Sequence, residues 1–191
     1  MALVERIWKD KAKGEVNPLA FSDLAQKMAQ KVDIEGRDLL TSEENKEIKR
    51  KFKNKKDRDL AKEKLQKEKE KQMQKMTYEE WLIEKVNWKD KSNKPTQIRK
   101  FYNVIFDLHQ RTKNQTEETK WNEIIAQLHR QLALVHYARG RNLVTNSFVN
   151  MLEELIKAID QTPEQGKKDL EVVTNFLEAF MAYYKECRPS N

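Results

Sequence analysis

From Tyr78 to Tyr184 the large apolar residues return every three or four positions, stripe after stripe, and that period admits helices and little else. The supply of turn residues points the same way: 191 residues contain four Gly and four Pro, too few to close the hairpins of a strand-rich fold. Thr77 and Glu80 have the spacing of a capping box, in which each side chain accepts from the other's backbone N–H, and Tyr78, Trp81, Leu82, Lys85 and Trp88 follow. Ser92 to Pro95 interrupts. Ile98, Phe101, Tyr102, Ile105, Phe106 and Leu108 then mark an amphipathic helix, and Lys113 to Thr116 reads as a polar loop. Glu117 and Glu118 suit the positive end of a helix. Trp121, Ile124, Ile125, Leu128, Leu132, Val135 and Tyr137 carry that helix to Gly140, which fits a left-handed C-cap. Phe148, Leu152, Leu155, Ile156 and Ile159 define the next one. Thr162, Pro163 and Gln165 form a start signal for the last, striped by Leu170, Val173, Leu177, Phe180, Met181 and Tyr184. Five helices joined by short loops predict an antiparallel-type bundle over residues 77–191.

The front of the chain is different. In residues 1–45 Asn17 is placed to cap a helix with Pro18 at its first position, and Phe21, Leu24, Ala25, Met28 and Val32 recur at helical spacing. Ile34 to Arg37, with Gly36 inside it, reads as a loop, and Thr41 with Glu44 repeats the capping-box spacing. Between Lys46 and Lys75 the large apolar residues thin to Ile48, Phe52, Leu60, Leu65 and Met73, while 14 basic residues face 6 acidic ones. The whole chain's net charge of +7 is concentrated there. Such a stretch is either a solvated helix laced by i,i+4 ion pairs or a disordered arm. Its charge would attract nucleic acid through counterion release without sequence preference, against the plainer reading of a soluble charged helix. The expected fold is therefore all-α: a compact bundle of about five helices with a charged helical N-terminal extension. It divides as residues 1–45, an N-terminal helical segment, 46–76, a basic helix or arm, and 77–191, the bundle.

The candidate chemistry is that of binding. A single cysteine, Cys187, forms no internal disulfide and suits a reducing compartment. There is no apolar run for a secretory signal or a membrane span, so a cytoplasmic location without membrane contact is expected. His109, His129 and His136 include no i,i+4 pair to hold a metal; Glu153 and Glu154 diverge by about 100° on a helix; no phosphate-cradling glycine loop occurs. No enzyme activity, metal or cofactor is expected. Arg99 and Lys100 open one amphipathic helix with Lys94 ahead of it, and Arg130, Arg139 and Arg141 lie on or just after another. Guanidiniums fixed on a rigid bundle can track a sugar-phosphate backbone. Arg139 at a helix C-terminus and the surface cations Arg99 and Lys100 have a purely structural reading as well. Phe101, Tyr102, Tyr137, Tyr183 and Tyr184 stand at helical spacing beside Leu and Ile, which reads as core rather than as base-stacking platforms. Along the last helix Val172, Val173, Phe176, Leu177, Phe180, Tyr183 and Tyr184 make a stripe wider than one neighbour need cover, which suggests self-association.

Two strings carry a family resemblance: Thr96-Gln97-Ile98-Arg99-Lys100-Phe101-Tyr102-Asn103 and Phe176-Leu177-Glu178-Ala179-Phe180-Met181-Ala182-Tyr183-Tyr184-Lys185, with Leu132 to Arg139 between them. Over residues 95–187 the chain resembles the small subunit of the type III-A (Csm) CRISPR effector complex. The resemblance implies an all-helical, non-catalytic protein present in several copies, which helps hold guide RNA and target RNA through basic side chains. It also implies contact with the repeated backbone ribonuclease subunit and the large polymerase-like subunit. Arg99 and Lys100 carry over first, then Arg139; Arg130, Arg141 and Lys94 are added on physical grounds. Residues 1–76 have no counterpart in the resemblance. The rival reading is a helical protein–protein adaptor or self-associating scaffold without RNA contact.

Overall fold

The computed structural model describes residues 2–84, 88–113 and 118–188. Lys85, residues 114–116 of the expected loop, Glu117 and the side chain of Glu118 lie outside the described residues. The chain runs through α1 (Leu3–Ile7), β1 (Trp8–Asp10), β2 (Glu15–Val16), a 3₁₀ turn (Pro18–Phe21), α2 (Asp23–Glu35), β3 (Arg37–Asp38) and α3 (Ser42–Lys51). It continues as α4 (Lys55–Met73), α5 (Tyr78–Glu84), β4 (Lys89–Asp90), α6 (Pro95–Lys113), α7 (Glu118–Gly140), α8 (Asn146–Lys157) and α9 (Pro163–Cys187). β1 pairs with β2 and β3 with β4, both antiparallel, with Arg37 opposite Asp90. These two ribbons are small ties in an all-α fold.

The long helix α9 lies between α2 and α6, α7 packs on α6 and α8, and α1 covers α8. One apolar core runs from Leu3 to Cys187. The stripe on α9 is wide because it serves two neighbours at once: Val173, Phe176, Leu177, Phe180 and Tyr184 are all buried, and α2 shares in covering them. Leu24, Ala25, Ala29, Val32 and Ile34 are the buried apolar residues α2 contributes.

Several local signals are realised as written in the sequence. Thr41 and Glu44 form the capping box of α3, and Thr77 and Glu80 exchange the same pair of bonds, at 2.8 and 3.2 Å, ahead of α5. Others are displaced. Asn17 accepts from Leu19 N–H at 3.2 Å, but the turn it opens is 3₁₀ and α2 starts only at Asp23. Thr162 does not pair with Gln165: its N–H and its hydroxyl both donate to Asp160 Oδ1, at 2.8 and 2.7 Å, and Gln165 donates to Asp169. A carboxylate two residues upstream is a stronger acceptor than the amide one turn on. The left-handed residue after α7 is Asn142, with φ 56°, and not Gly140. Leu143 N–H reaches Ala138 O at 3.0 Å and Asn142 N–H reaches Arg139 O at 2.9 Å, the two bonds of a Schellman motif.

The charged stretch is helical, broken between α3 and α4, where Asn54 caps by accepting from Lys56 N–H at 3.0 Å. Few contacts anchor it. Ile48 is buried; buried Gln66 accepts from Leu39 N–H at 3.0 Å and donates to Arg37 O at 2.8 Å; Lys69 donates to Leu39 O and to Glu44. Leu60, near the other end of α4, is half exposed.

One end of the core is ionic. Fully buried Asp33 on α2 accepts from Arg37 Nε at 2.9 Å, from Arg188 Nε at 2.5 Å and from the Trp81 indole at 3.1 Å. Arg37 also reaches Cys187 O and Asp90, and Arg188 reaches Ser92 O and Asn93 O. Two guanidiniums over two carboxylates, with the remaining N–H groups on carbonyls, meet the condition under which buried charge is tolerated. Gly36 is required by this packing, since a Cβ there would run into the Arg188 guanidinium and stand 2.9 Å from Ser92 O.

Candidate nucleic-acid interface

The start of α6, the end of α7 and the start of α8 meet at one junction, and Asn93 ties it. This buried residue sits in the left-handed region at φ 55°, where Asn is among the few side chains accommodated. Its N–H donates to Leu143 O at 2.9 Å, its side-chain amide donates to Val32 O and Thr145 Oγ1, and its Oδ1 accepts from Thr145 N–H at 2.8 Å. Tyr184 donates its hydroxyl to Asn93 O at 2.5 Å. One residue therefore locks α2, the 141–145 loop and α9 together beneath the junction.

Three of the six basic residues singled out in the sequence stand around it. Lys94 is exposed, and its carbonyl accepts the first N–H groups of α6. Arg139, in the last turn of α7, donates to Asn146 Oδ1 at 2.8 Å, so its guanidinium is oriented but open to solvent. Arg141 stands with its guanidinium 5.7 Å from the centre of the Tyr137 ring. Arg99 and Lys100 are exposed further along the outer side of α6, and Arg130 is exposed about 14 Å back along α7 from Arg139. Among the described residues, none of Lys94, Arg99, Lys100 and Arg130 is engaged in an ion pair.

Two further cations join Arg139: Lys67, which belongs to the basic 46–75 stretch and is ion-paired with Glu63 at 2.7 Å, and Lys91, which sequence reasoning missed. Lys67 from α4 and Lys91 from the loop after β4 line a cleft of about 420 Å³ with Arg139, Asn142 and Asn146. A second cleft of about 450 Å³ continues from it along α4, sharing Lys67, Glu70 and Lys91. Glu35 and Glu70 are the negative lining of the first. Glu35 accepts from the Ser147 backbone N–H at 3.1 Å and from its hydroxyl. Burial raises the Glu70 carboxyl above its ordinary value, and the charge of Glu35 adds to the shift against a lowering hydrogen bond from Gln66. The sequence did carry a signal for this region: from Ile124 to Leu152 there is no Asp or Glu, in a chain otherwise rich in both.

Tyr137 departs from its expected place. It is 64 % exposed on the outer side of α7, with Leu134 beside it at 42 %, whereas Phe101 and Tyr184 are buried. The apolar stripe of α7 faces inward through Trp121, Ile124, Leu128, Val135 and Ala138, and Tyr137 lies off it. Of the histidines, His109 is buried, while His129 and His136 are exposed; His136 Nε2 lies 3.6 Å from Glu153. Among the described residues no three His, Cys, Asp or Glu side chains are grouped to hold a metal. No helix there is long and apolar enough to cross a membrane.

Fold and surface define an all-α protein whose exposed cations gather where three helix ends meet. Residues 84–190 match the family model Csm2 Type III-A, more than half of the chain, so the protein belongs to that family: it is a small subunit of the type III-A Csm complex of CRISPR defence. No curated protein and no solved structure matches it.

Proposed function

We propose that this subunit binds RNA without catalysing a reaction, holding the duplex of guide and target RNA and bridging neighbouring subunits of the cytoplasmic effector complex. The observation that carries the reading is the carboxylate-free span from Ile124 to Leu152, which presents Arg130, Arg139 and Arg141 beside Lys94, Arg99 and Lys100 on the α6 side. Cations on rigid helix ends neutralise phosphates and leave sequence to base pairing by the guide. In this reading the subunit also contacts the repeated ribonuclease subunit, the large polymerase-like subunit and further copies of this chain, which membership of a multi-subunit complex supports. Copies would meet through a surface other than the apolar stripe of α9, which α2 and α6 largely cover.

The test is the affinity of the full chain for single-stranded RNA by fluorescence anisotropy across a salt series. The expected outcome is a linear fall of log K with log salt, and a slope shallower by about 0.7 in Arg139→Ala, the amount one lost phosphate contact contributes on a single strand. An affinity that ignores salt, or no binding at low salt, overturns the proposal in favour of a protein–protein adaptor.

A further inference from the structure

Tyr137 is the one large aromatic side chain among the described residues that the fold leaves mostly in solvent. It stands on the solvent-facing side of α7. Leu134 precedes it by one turn, Arg141 follows by one turn with its guanidinium over the ring, and Arg130 lies two turns before. Arg130 and Arg141 are about 16 Å apart along the helix axis. A polyanion running along α7 therefore meets a cation on either side of the tyrosine.

What would occupy this place follows from size and charge. The exposed apolar surface is one Leu and one Tyr, far below the area a stable protein interface needs, yet about the area of one nucleobase. The flanking charge within the carboxylate-free span is positive, and Glu153 of α8, which lies 3.6 Å from His136, is already paired with Lys157. The face therefore favours a ligand that pairs a flat apolar group with anions. A cation held over one face of a tyrosine leaves the opposite face open, on which a base can stack in a guanidinium–ring–base sandwich.

We propose that Tyr137, with Leu134 and Arg141, is a stacking platform for one unpaired RNA base, set within the cation row that contacts the phosphates. The proposal rests on the RNA-binding reading above and adds to it a base contact and a site for a nucleotide that is not paired to its complement. A strictly duplex ligand has no free base to offer, so the platform selects for a flanking, displaced or single-stranded nucleotide.

The test compares the full chain with Tyr137→Phe and Tyr137→Leu, using single-stranded RNA that carries 2-aminopurine in place of one adenine. Stacking quenches 2-aminopurine, and anisotropy of an end label gives affinity in the same titration. Expected is quenching on wild type and on Tyr137→Phe, none on Tyr137→Leu, and affinity about tenfold weaker in Tyr137→Leu with an unchanged salt slope, as befits loss of one stacked base. Arg139→Ala does the converse, changing the slope and keeping the quench. Because Tyr137 is exposed, all the variants should keep the wild-type helical circular dichroism. Salt-dependent binding with Tyr137→Leu at wild-type affinity and quench overturns the platform and leaves the RNA-binding reading standing. Absence of RNA binding by wild type overturns both. If instead Tyr137→Leu abolishes a concentration-dependent self-association seen by sedimentation, without affecting RNA, the side chain serves a protein contact and the proposal fails.

Discussion

Asp33 holds two guanidiniums and an indole N–H on one carboxylate that water does not reach. Arg37, one turn beyond it, is visible in the sequence as an i,i+4 partner; Arg188, at the far end of the chain, is not, because nothing local links the two. Asp33→Asn keeps the shape and removes the charge, leaving two buried cations short of a partner. The expected loss is about 3–5 kcal/mol, read as a thermal midpoint lower by about 6 °C or more at the usual size scaling. A midpoint within 2 °C of wild type would show that Asp90 and the carbonyls suffice. His109 gives a pH dependence. Its Nδ1 is buried with no hydrogen-bond partner among the described residues, and burial first, then the charge of Lys113, lowers the imidazole below its ordinary 6.5. Above that value neither folded nor unfolded chain carries the proton, and the group adds nothing to the pH dependence. As pH falls through 6.5 the unfolded chain takes up the proton first, so stability drops until the lower folded-state value is passed. Thermal midpoints measured from pH 7.5 to 5 should therefore fall less steeply in His109→Leu than in wild type.

At the scale of elements, the sequence was legible wherever one short motif decides. The capping boxes of α3 and α5, the break before α6 and the start of α9 at Pro163 are local matters of a few backbone N–H groups. The end of α7 was not, because Gly140 and Asn142 both tolerate a left-handed backbone. The choice falls to Asn142 through Leu143, which is half-buried against the core and must turn its N–H back to Ala138 O. The turn then sets where Arg139, Arg141 and Asn146 point. Asn142→Gly should keep or slightly raise the thermal midpoint, while Asn142→Val, β-branched at φ 56°, should cost about 1–2 kcal/mol. If the junction is the RNA surface, Asn142→Val weakens RNA binding as well as stability, and Asn142→Gly leaves both. Equal stability of the two variants would remove the turn from the account.

Over the whole molecule, the family-matched stretch begins at residue 84, yet the core does not. The stripe on α9 announced surplus apolar surface, and a second copy of the chain was the natural expectation; the structure covers that surface with α2 of the same chain. Periodicity tells which face of a helix is buried and is silent on which helix buries it, so a partner supplied from more than a hundred residues away was beyond its reach. Leu24, Val32 and Ile34 together stabilise the fold by roughly 5–9 kcal/mol at the usual value for fully buried aliphatic side chains. That is on the order of a domain's whole net stability of about 5–15 kcal/mol. Removing α2 would also strip Asp33 from Arg188 and the Val32 carbonyl from Asn93, loosening the junction where the cations gather. A chain beginning at Thr77 should accordingly lose its cooperative thermal transition and bind a hydrophobic dye such as ANS, while the full chain melts in one step. The converse result, a sharp transition within a few degrees of the full chain, would make the bundle from Thr77 onward self-sufficient and α2 an accessory laid over it, which would return the uncovered face of α9 to service as a docking surface.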